Sequence, residues 1–356
     1  MSISPAQPSV LEVDFSPPSV QILVGSCTES LRGIPDRSVR CCVTSPPYFG
    51  LRDYGIDGQF GLEATPEEYV GKMVAVMREV RRVLTDDGTL WLNLGDSYAT
   101  SGGAHGGRSD NQRGVGAKVA HDAGAGDQSA RRAPSGLKPK DLIGIPWRVA
   151  LALQADGWWL REEIIWHKPN PMPESVKDRC TRSHEHIFHL AKSEKYYHDA
   201  DAIKEPAIYS GLNKQDESGF KRAGDFNGKH AANPEIRHDR GNKQRGHSRR
   251  HDGFNARWDA MERKEQCSGM RNKRDVWTVA PATYKGAHFA TFPPKLIEPC
   301  VLAGSAAGDT VLDPFGGSGT TAEVAVRHGR SAILCEINPA YVELARTRLG
   351  LPLEIA

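Results

Sequence analysis

Residues Thr310–Thr321 read TVLDPFGGSGTT, which predicts a strand, a tight glycine-rich turn and the start of a helix. Its apolar start predicts a strand through Val311 and Leu312, and its end predicts the beginning of a helix. The glycines between them permit backbone conformations that a Cβ forbids and let a ligand approach closely. Such a turn is also compatible with an ordinary strand-to-helix connection, so its meaning depends on the rest of the chain.

The next predicted strand, Ala332–Cys335, is followed by an acid at Glu336. An acid at the end of the second strand is the residue that binds ribose hydroxyls in dinucleotide folds. The carboxylate of Asp313 can meet an ammonium group, and the helix start favours an anionic group. The spacing differs from a pyrophosphate-binding fingerprint, and the lysine of a P-loop is missing. The turn and Glu336 therefore suit a nucleoside carrying an amino acid better than a nucleotide.

Outward from this stretch, predicted strands alternate with predicted helices, which is typical of an α/β fold with a doubly wound sheet. The further strands are predicted at Val20–Val24, Val39–Val43, Thr89–Leu94, Trp158–Trp166 and His186–Ala191. The helices are predicted at Cys27–Leu31, Glu67–Leu84, Asp141–Ala155, Lys295–Ala303, Thr320–His328 and Pro339–Leu349. Asp86–Gly88 is predicted to be a turn that ends the second helix.

The second chemical feature is Thr44-Ser45-Pro46-Pro47-Tyr48, which follows a predicted strand. Two consecutive prolines cannot continue a β-ladder, so the chain must leave the sheet here. Ligands of open α/β sheets bind at this end of the strands. Alone, the segment is equally compatible with a proline-rich turn in which Tyr48 merely packs.

Together these segments resemble the beta group of DNA amino-methyltransferases. Asp313–Thr320 resembles that family's S-adenosylmethionine motif, Glu336–Pro339 with Tyr341 its ribose motif, and Phe292–Leu296 the motif that closes over the methionine moiety. The catalytic loop precedes the cofactor turn, as in that group, and the resemblance covers most of residues 20–200 and 275–350. It implies a mostly parallel methyltransferase-type sheet with helices on both faces and circularly ordered motifs. The residues it implies for S-adenosylmethionine binding are Thr44, Phe292, Pro293, Asp313, Phe315, Gly316, Gly317, Ser318, Gly319, Thr320, Glu336 and Asn338.

The catalytic residues implied are Ser45, Pro46, Pro47 and Tyr48. An exocyclic amine of a base is a poor nucleophile, because its lone pair is delocalised into the ring. Acceptors at Ser45 Oγ and the Pro46 carbonyl would localise that lone pair, and Tyr48 would hold a flipped base. Ser45, where sister enzymes carry Asp, resembles the cytosine-N4 enzymes, and adenine-N6 methylation is the alternative. No cysteine nucleophile is needed, so Cys41 and Cys42 are interpreted as buried strand residues.

Charge is distributed unevenly along the chain. The net charge is +2, but Lys221–Arg274 carries fifteen Lys/Arg against seven Asp/Glu, so the remainder is mildly acidic. A basic segment is expected to contact a polyanion, although a solvated loop has the same composition. We expect duplex DNA as the partner, with contacts from Arg240, Lys243, Arg245, Arg249 and Arg250. A cognate restriction endonuclease is a further candidate partner that the residues leave open, as they leave open monomer and homodimer.

The predicted organisation has four parts. An N-terminal arm (1–18) precedes a catalytic half (19–200), a target-recognition insertion (201–274) follows, and a cofactor-binding half (275–356) closes the chain. Residues 99–136 contain nine glycines and are predicted to be a mobile loop that orders over DNA.

Other protein classes fit the sequence less well. Seven irregularly spaced cysteines do not indicate a disulfide framework, and no apolar run approaches the roughly 20 residues of a bilayer span. No signal peptide is visible, so a cytoplasmic protein is expected. Cys180, His184, His186 and His189 fit no tetrahedral metal pattern, and no metal is expected. A methyltransferase acting on RNA or a small molecule, and a non-catalytic DNA-binding module of the same fold, are the more distant alternatives.

Overall fold

The computed structural model describes residues 18–99, 137–207, 270–281 and 292–351. The chain divides into two compact units, Met1–Ala202 with Arg274–Ala356, and Ile203–Lys273. Nearly all of the predicted N-terminal arm and glycine-rich loop, and the five predicted DNA-contacting residues, lie outside the described residues. The roles predicted for them therefore stay predictions.

Ten strands and six helices are described. The strands are β1 (Val20–Val24), β2 (Val39–Thr44), β3 (Leu84–Leu94), β4 (Trp159–His167), β5 (His184–Ala191), β6 (Glu205–Pro206), β7 (Met270–Arg271), β8 (Val276–Thr278), β9 (Thr310–Asp313) and β10 (Ser331–Glu336). The helices are α1 (Cys27–Arg32), α2 (Pro66–Val83), α3 (Ile145–Ala155), α4 (Pro294–Gly304), α5 (Thr320–Arg327) and α6 (Pro339–Leu349). None of these helices is long and apolar enough to cross a membrane.

The first unit contains an eight-stranded sheet in the order β1-β10-β9-β2-β3-β5-β4-β8. Every neighbouring pair is parallel except the two that involve β5, which runs antiparallel to β3 and to β4. The predicted mostly parallel sheet is confirmed. In the second unit, β6 and β7 form a two-stranded antiparallel ribbon.

Helices cover both faces of the large sheet, as the fold class implies. On one face Cys42, Leu90 and Leu92 join a buried cluster with the apolar stripe of α2. Their neighbours in sequence point the opposite way because side chains alternate along a strand. On this second face, α4 packs directly on β2. A Cβ added to Gly304, at the end of α4, would lie 2.5 Å from Cys41 Sγ.

The order of the strands brings the two predicted motifs together. β9 and β2 are neighbours in the centre of the sheet, with Cys42 opposite Leu312. Both strands therefore end at the same edge, and the loop after Thr44 lies beside the turn after Asp313. At the other side of β2, Thr44 is opposite Leu92 of β3, which places Asn93 next to Ser45.

The predicted turn at Asp86–Gly88 was wrong, because these residues belong to β3. The strand begins at Leu84, immediately after α2, and its pairing with β2 shifts register between Val39 and Cys41. A β-bulge of this kind absorbs extra residues without leaving the sheet. Gly88 permits it, since a Cβ there would come within 3.0 Å of the Arg40 carbonyl oxygen.

The helix predicted from Asp141 begins at Ile145 instead. Gly144 takes a left-handed conformation with φ 78°, which stops the helix from extending backwards. The Asp96 carboxylate accepts hydrogen bonds from Gly144 N and Ile145 N at 3.0 and 3.1 Å, and so caps the first turn. The preceding residues pair with the segment after β3, through a bridge between Tyr98 and Leu142.

Candidate active site

A cavity of about 510 Å³ opens at the carboxyl edge of the large sheet. Residues that follow β1, β2, β9 and β10 line it, so it lies where open α/β sheets bind their ligands. Its volume is typical of sites for small organic molecules. The cavity has a carboxylate-bearing end around Asp313 and Glu336, and a second end around Ser45 and Tyr48.

Asp313 anchors the turn after β9. Its buried carboxylate accepts hydrogen bonds from Thr44 Oγ1 at 2.6 Å, Thr321 Oγ1 at 2.7 Å and Phe315 N at 3.0 Å. Burial raises the pKa of this carboxyl group, and the three hydrogen bonds oppose that rise. The Thr44 bond joins the two predicted motifs directly.

Glu336 lies at the end of β10 and is 8% exposed. Its carboxylate accepts hydrogen bonds from Gly317 N and Asn338 N, each at 2.7 Å. Gly317 has a φ of +51°, a conformation that a residue with a Cβ rarely adopts. Burial raises the pKa of the Glu336 carboxyl group as well. The turn therefore presents a fixed carboxylate beside backbone that lines the cavity at Gly316 and Gly317.

Aromatic side chains enclose this end of the cavity. Phe315 meets Phe60 edge to face at a ring-centroid distance of 5.3 Å, and Tyr341 meets Tyr54 at 6.2 Å. All four rings line the cavity. Flat apolar walls beside a buried carboxylate suit a nucleoside, since the rings can face the base while the carboxylate accepts from ribose hydroxyls.

The structure brings together most of the residues predicted for this site. The following line the cavity: Ser45, Pro46, Pro47, Tyr48, Phe292, Asp313, Phe315, Gly316, Gly317, Ser318, Thr320, Glu336 and Asn338. Thr44, Pro293 and Gly319 are not among the lining residues, and Thr44 instead supports Asp313. The hydroxyls of Ser318 and Thr320 accept from Arg348 at 2.8 and 2.6 Å, so these two side chains hold the turn in shape.

A hydrogen-bonded network fills the second end of the cavity. Asn93 Nδ2 lies 2.9 Å from Tyr48 Oη, 3.3 Å from Ser45 Oγ and 3.2 Å from Glu185 Oε2. Tyr48 Oη donates to the same Glu185 oxygen at 2.8 Å, and the other Glu185 oxygen forms an ion pair with Lys168 Nζ. Burial, followed by the charge of Glu185, raises the pKa of Tyr48 well above its usual range, which keeps this hydroxyl protonated.

Three residues of this network, Asn93, Lys168 and Glu185, were missed by the sequence analysis. Glu185 is the second residue of β5, and the beginning of a strand carries no functional signal in a parallel sheet. Since β5 is antiparallel, its beginning reaches the carboxyl edge, where Glu185 pairs with Trp166 of β4. The end of the apolar segment Leu90–Leu94 was the signal that could have identified Asn93.

The loop after β2 is held from several sides. Tyr69 Oη donates to the Pro47 carbonyl at 2.9 Å, and Gly50 N donates to the Gly61 carbonyl at 2.8 Å. The Tyr48 ring lies so close to Gly95 that a Cβ there would come within 2.4 Å of it. These contacts fix the position of the loop, which is the pre-organisation that a catalytic role would require.

Trp166 and Lys168 form one wall of the second end. Trp166 is buried, its Nε1 donates to the Val279 carbonyl at 2.8 Å, and Lys168 Nζ lies 4.3 Å from its ring centroid. Trp158 is also buried, while Trp159 is 45% exposed. Two of the three tryptophans therefore pack in the core, and Trp166 also lines the cavity.

The cysteines at this edge are poor nucleophiles. Cys41 and Cys42 are fully buried in β2, and burial raises the pKa of the Cys41 thiol to about 12 and that of Cys42 well above its usual value. Cys27 lines the cavity, and burial raises its pKa to about 12. Within the described ranges, no three His, Cys, Asp or Glu side chains are placed to hold a metal ion.

The chain is similar to known DNA methylases over most of its length. The model of the DNA methylase family of N6 and N4 methyltransferases matches residues 39–347. The chain is 44% identical over 325 residues to the Type II methyltransferase M.Cfr9I of Citrobacter freundii, covering 91% of this chain and 86% of that protein. It is 41% identical over 331 residues to M.SmaI of Serratia marcescens, covering 93% of this chain and 91% of that protein.

Solved structures show the same fold at lower sequence identity. The cytosine-N4-specific PvuII DNA methyltransferase superposes with a TM-score of 0.56 at 18% identity, covering 96% of this chain and 89% of that chain. A Thermus thermophilus chain complexed with S-adenosyl-L-methionine superposes with a TM-score of 0.51 at 22% identity, covering 93% and 94%.

Proposed function

The chain belongs to the DNA methylase family of N6 and N4 amino-methyltransferases, and we propose that it methylates the N4 amine of cytosine at a specific sequence in duplex DNA. The family model and the curated relatives support a Type II DNA amino-methyltransferase. The choice of cytosine, the donor and the residue roles are our proposals. One observation carries them: Ser45 and Tyr48 share a cavity with Glu336 and the turn after Asp313.

The carboxylate-bearing end fits S-adenosylmethionine. Glu336 would accept from the ribose hydroxyls, Phe315 and Tyr341 would face the adenine, and Asp313 with Phe292 would lie beside the amino-acid portion. The backbone of Gly316 and Gly317 allows close approach. S-adenosylmethionine, when bound, supplies an electrophilic methyl group on its sulfonium sulfur. The relatives' shared family supports this assignment, because its members are methyltransferases.

The second end of the cavity fits the target amine. Ser45 Oγ and the Pro46 carbonyl are acceptors at the cavity wall, and two acceptors aimed at one amine concentrate its lone pair on nitrogen. They also stabilise the positive charge that develops on that nitrogen. The Tyr48 ring offers a face for a base that has left the duplex stack. Because burial raises the pKa of the thiols of Cys27, Cys41 and Cys42 and keeps them protonated, we assign no covalent enzyme intermediate.

Ser45 supports cytosine over adenine, since a serine at this position resembles the cytosine-N4 enzymes. Adenine-N6 methylation uses the same acceptors on the same kind of amine, and it is the other outcome of the test below. For the partner, we propose that residues 201–274 recognise duplex DNA. The Type II names of the relatives also support a cognate restriction endonuclease.

The product identifies the reaction. Duplex DNA is incubated with the purified chain and S-adenosylmethionine carrying a labelled methyl group, digested to nucleosides and separated by mass spectrometry. We expect label only in N4-methylcytosine. Label only in N6-methyladenine would contradict the choice of cytosine, and label in an RNA control but not in duplex DNA would contradict the substrate class.

A further inference from the structure

In the hydrogen-bond network at the second end of the cavity, Glu185 determines which groups donate and which accept. A carboxylate only accepts hydrogen bonds, and a lysine ammonium only donates them. Lys168 Nζ is paired with one Glu185 oxygen, so the other, Oε2, is left for Tyr48 and Asn93. The Glu185 and Lys168 side chains are 16% and 21% exposed, which limits competition from water.

The Glu185 carboxylate fixes the positions of two hydrogens, one on Tyr48 and one on Asn93. Tyr48 must donate its single hydroxyl hydrogen to Glu185 Oε2, 2.8 Å away. Asn93 must turn its Nδ2 amine, rather than Oδ1, toward the same oxygen at 3.2 Å. The Tyr48 oxygen can then act only as an acceptor toward its other neighbours.

Ser45 is the next member of the chain. Its hydroxyl donates to Tyr48 Oη at 3.3 Å, and it accepts from Asn93 Nδ2 at 3.3 Å. A hydroxyl has one hydrogen and two lone pairs, so at least one lone pair of Ser45 remains. That lone pair is what an amine with two N–H groups requires.

We propose that Glu185 is a positioning residue that directs the hydrogen-bond chain through Tyr48 and Asn93 so that Ser45 offers an acceptor, not a hydrogen, to the target amine. This inference rests on the proposed function. Glu185 lines the cavity, and in this proposal it acts through the two side chains that contact Ser45 rather than directly on the reacting atoms.

Glu185→Gln tests the direction with almost no change in shape. Lys168 holds the amide oxygen, so the amide nitrogen faces Tyr48 and donates to it. The Tyr48 hydrogen then turns to Ser45, and the Ser45 hydrogen points at the amine. We expect kcat to fall on the order of 10²-fold, comparable to losing one charge-stabilising group. The KM for S-adenosylmethionine, the Kd for DNA and Tm should change little.

A second substitution should restore the direction. In Lys168→Met/Glu185→Gln the amide is free to turn its oxygen toward Tyr48, so kcat should rise at least about tenfold above that of the single variant. If only the negative charge of Glu185 matters, removing Lys168 brings no recovery, and that result overturns the proposal. Glu185→Asp keeps an acceptor at this position and should retain more activity than Glu185→Gln.

The outcomes separate this inference from the proposed function. Failure of the wild-type protein to transfer a methyl group to DNA would contradict the proposed function. A folded Glu185→Gln variant whose kcat equals that of the wild type would contradict only the role of Glu185. If that variant does not fold, the neutral Lys168→Met/Glu185→Gln pair decides: activity within about tenfold of wild type supports the proposal, and a folded but inactive protein contradicts it.

Discussion

Single hydrogen bonds link parts of the site that are far apart in sequence. Thr44 and Asp313 are 269 residues apart, yet their side chains are joined by a hydrogen bond of 2.6 Å at the ends of β2 and β9. Asp313 is buried and its pKa is raised, so these bonds replace water for a carboxylate that would otherwise be costly to bury. Thr44, which does not line the cavity, therefore holds a cavity-lining carboxylate in place.

Gly95 gives a residue-scale prediction. Gly95→Ala places a Cβ where it would lie 2.4 Å from the Tyr48 ring, so the ring must move. We expect kcat to fall by about tenfold or more, because small misplacements of catalytic groups are costly. Gly71→Ala in α2 is the matched control, since nothing lies within 4 Å of its added Cβ. Equal kcat values for the two variants would contradict the role of Tyr48.

The thiols give a second prediction. With a pKa of about 12, Cys41 is ionised to roughly one part in 10⁴ at pH 8, and only the thiolate reacts rapidly. Brief alkylation of the native protein should therefore modify the exposed Cys180 and spare Cys41 and Cys42. Peptide mass spectrometry reads the sites. Methyl transfer should survive modification of Cys180; rapid labelling of Cys42 would show that the strand is not buried as described.

At the scale of elements, the sequence predicted most strands and helices but not their irregularities. Apolar periodicity identified α2, because one face of this helix is buried, and short apolar runs identified β2 and β10, where consecutive residues are buried. Periodicity cannot show that β3 absorbs Asp86–Gly88 as a bulge, since that depends on the strand beside it. The short strands β6, β7 and β8 have two or three residues each, which is too few for a pattern.

For the candidate site too, the sequence predicted the main segments but not every residue. Both loops follow strands of a parallel sheet, and strand ends of this kind are where ligands bind. Glu185 could not be predicted, because it lies at the beginning of β5 and reaches the site only through antiparallel pairing. Asn93 joins the site through its place beside Ser45, which the register of β2 and β3 determines.

The start of α2 supports an element-scale prediction. Thr65 caps this helix by accepting from Glu68 N at 3.1 Å. Thr65→Ala should lower the free energy of unfolding by about 1 kcal/mol, and Thr65→Ser should keep most of it. Thermal or denaturant unfolding measures the difference. Thr65 does not line the cavity, so a loss of kcat at a temperature where the variant is folded would contradict this division of roles.

At the scale of the molecule, the chain carries one basic segment, Lys221–Arg274, and the remainder of the chain is mildly acidic. Arg249 and Arg250 lie in that segment, outside the described residues. If both bind phosphates, Arg249→Ala/Arg250→Ala should reduce the slope of log Kd against log salt by about 2. The KM for S-adenosylmethionine should not change. An unchanged slope would show that the basic segment does not contact the phosphate backbone.

In the proposed function, the Thr44–Tyr48 loop positions cytosine N4 of DNA for methylation, with Ser45 as an acceptor for the amine. Methylome sequencing of DNA from cells that express the chain tests it most directly, because it identifies the modified base and its sequence context together. We predict N4-methylcytosine at one recurring sequence with the wild-type chain, and its loss with Ser45→Ala expressed at the same level. N6-methyladenine at the recurring sequence, or the same N4-methylcytosine pattern with Ser45→Ala, would contradict the account.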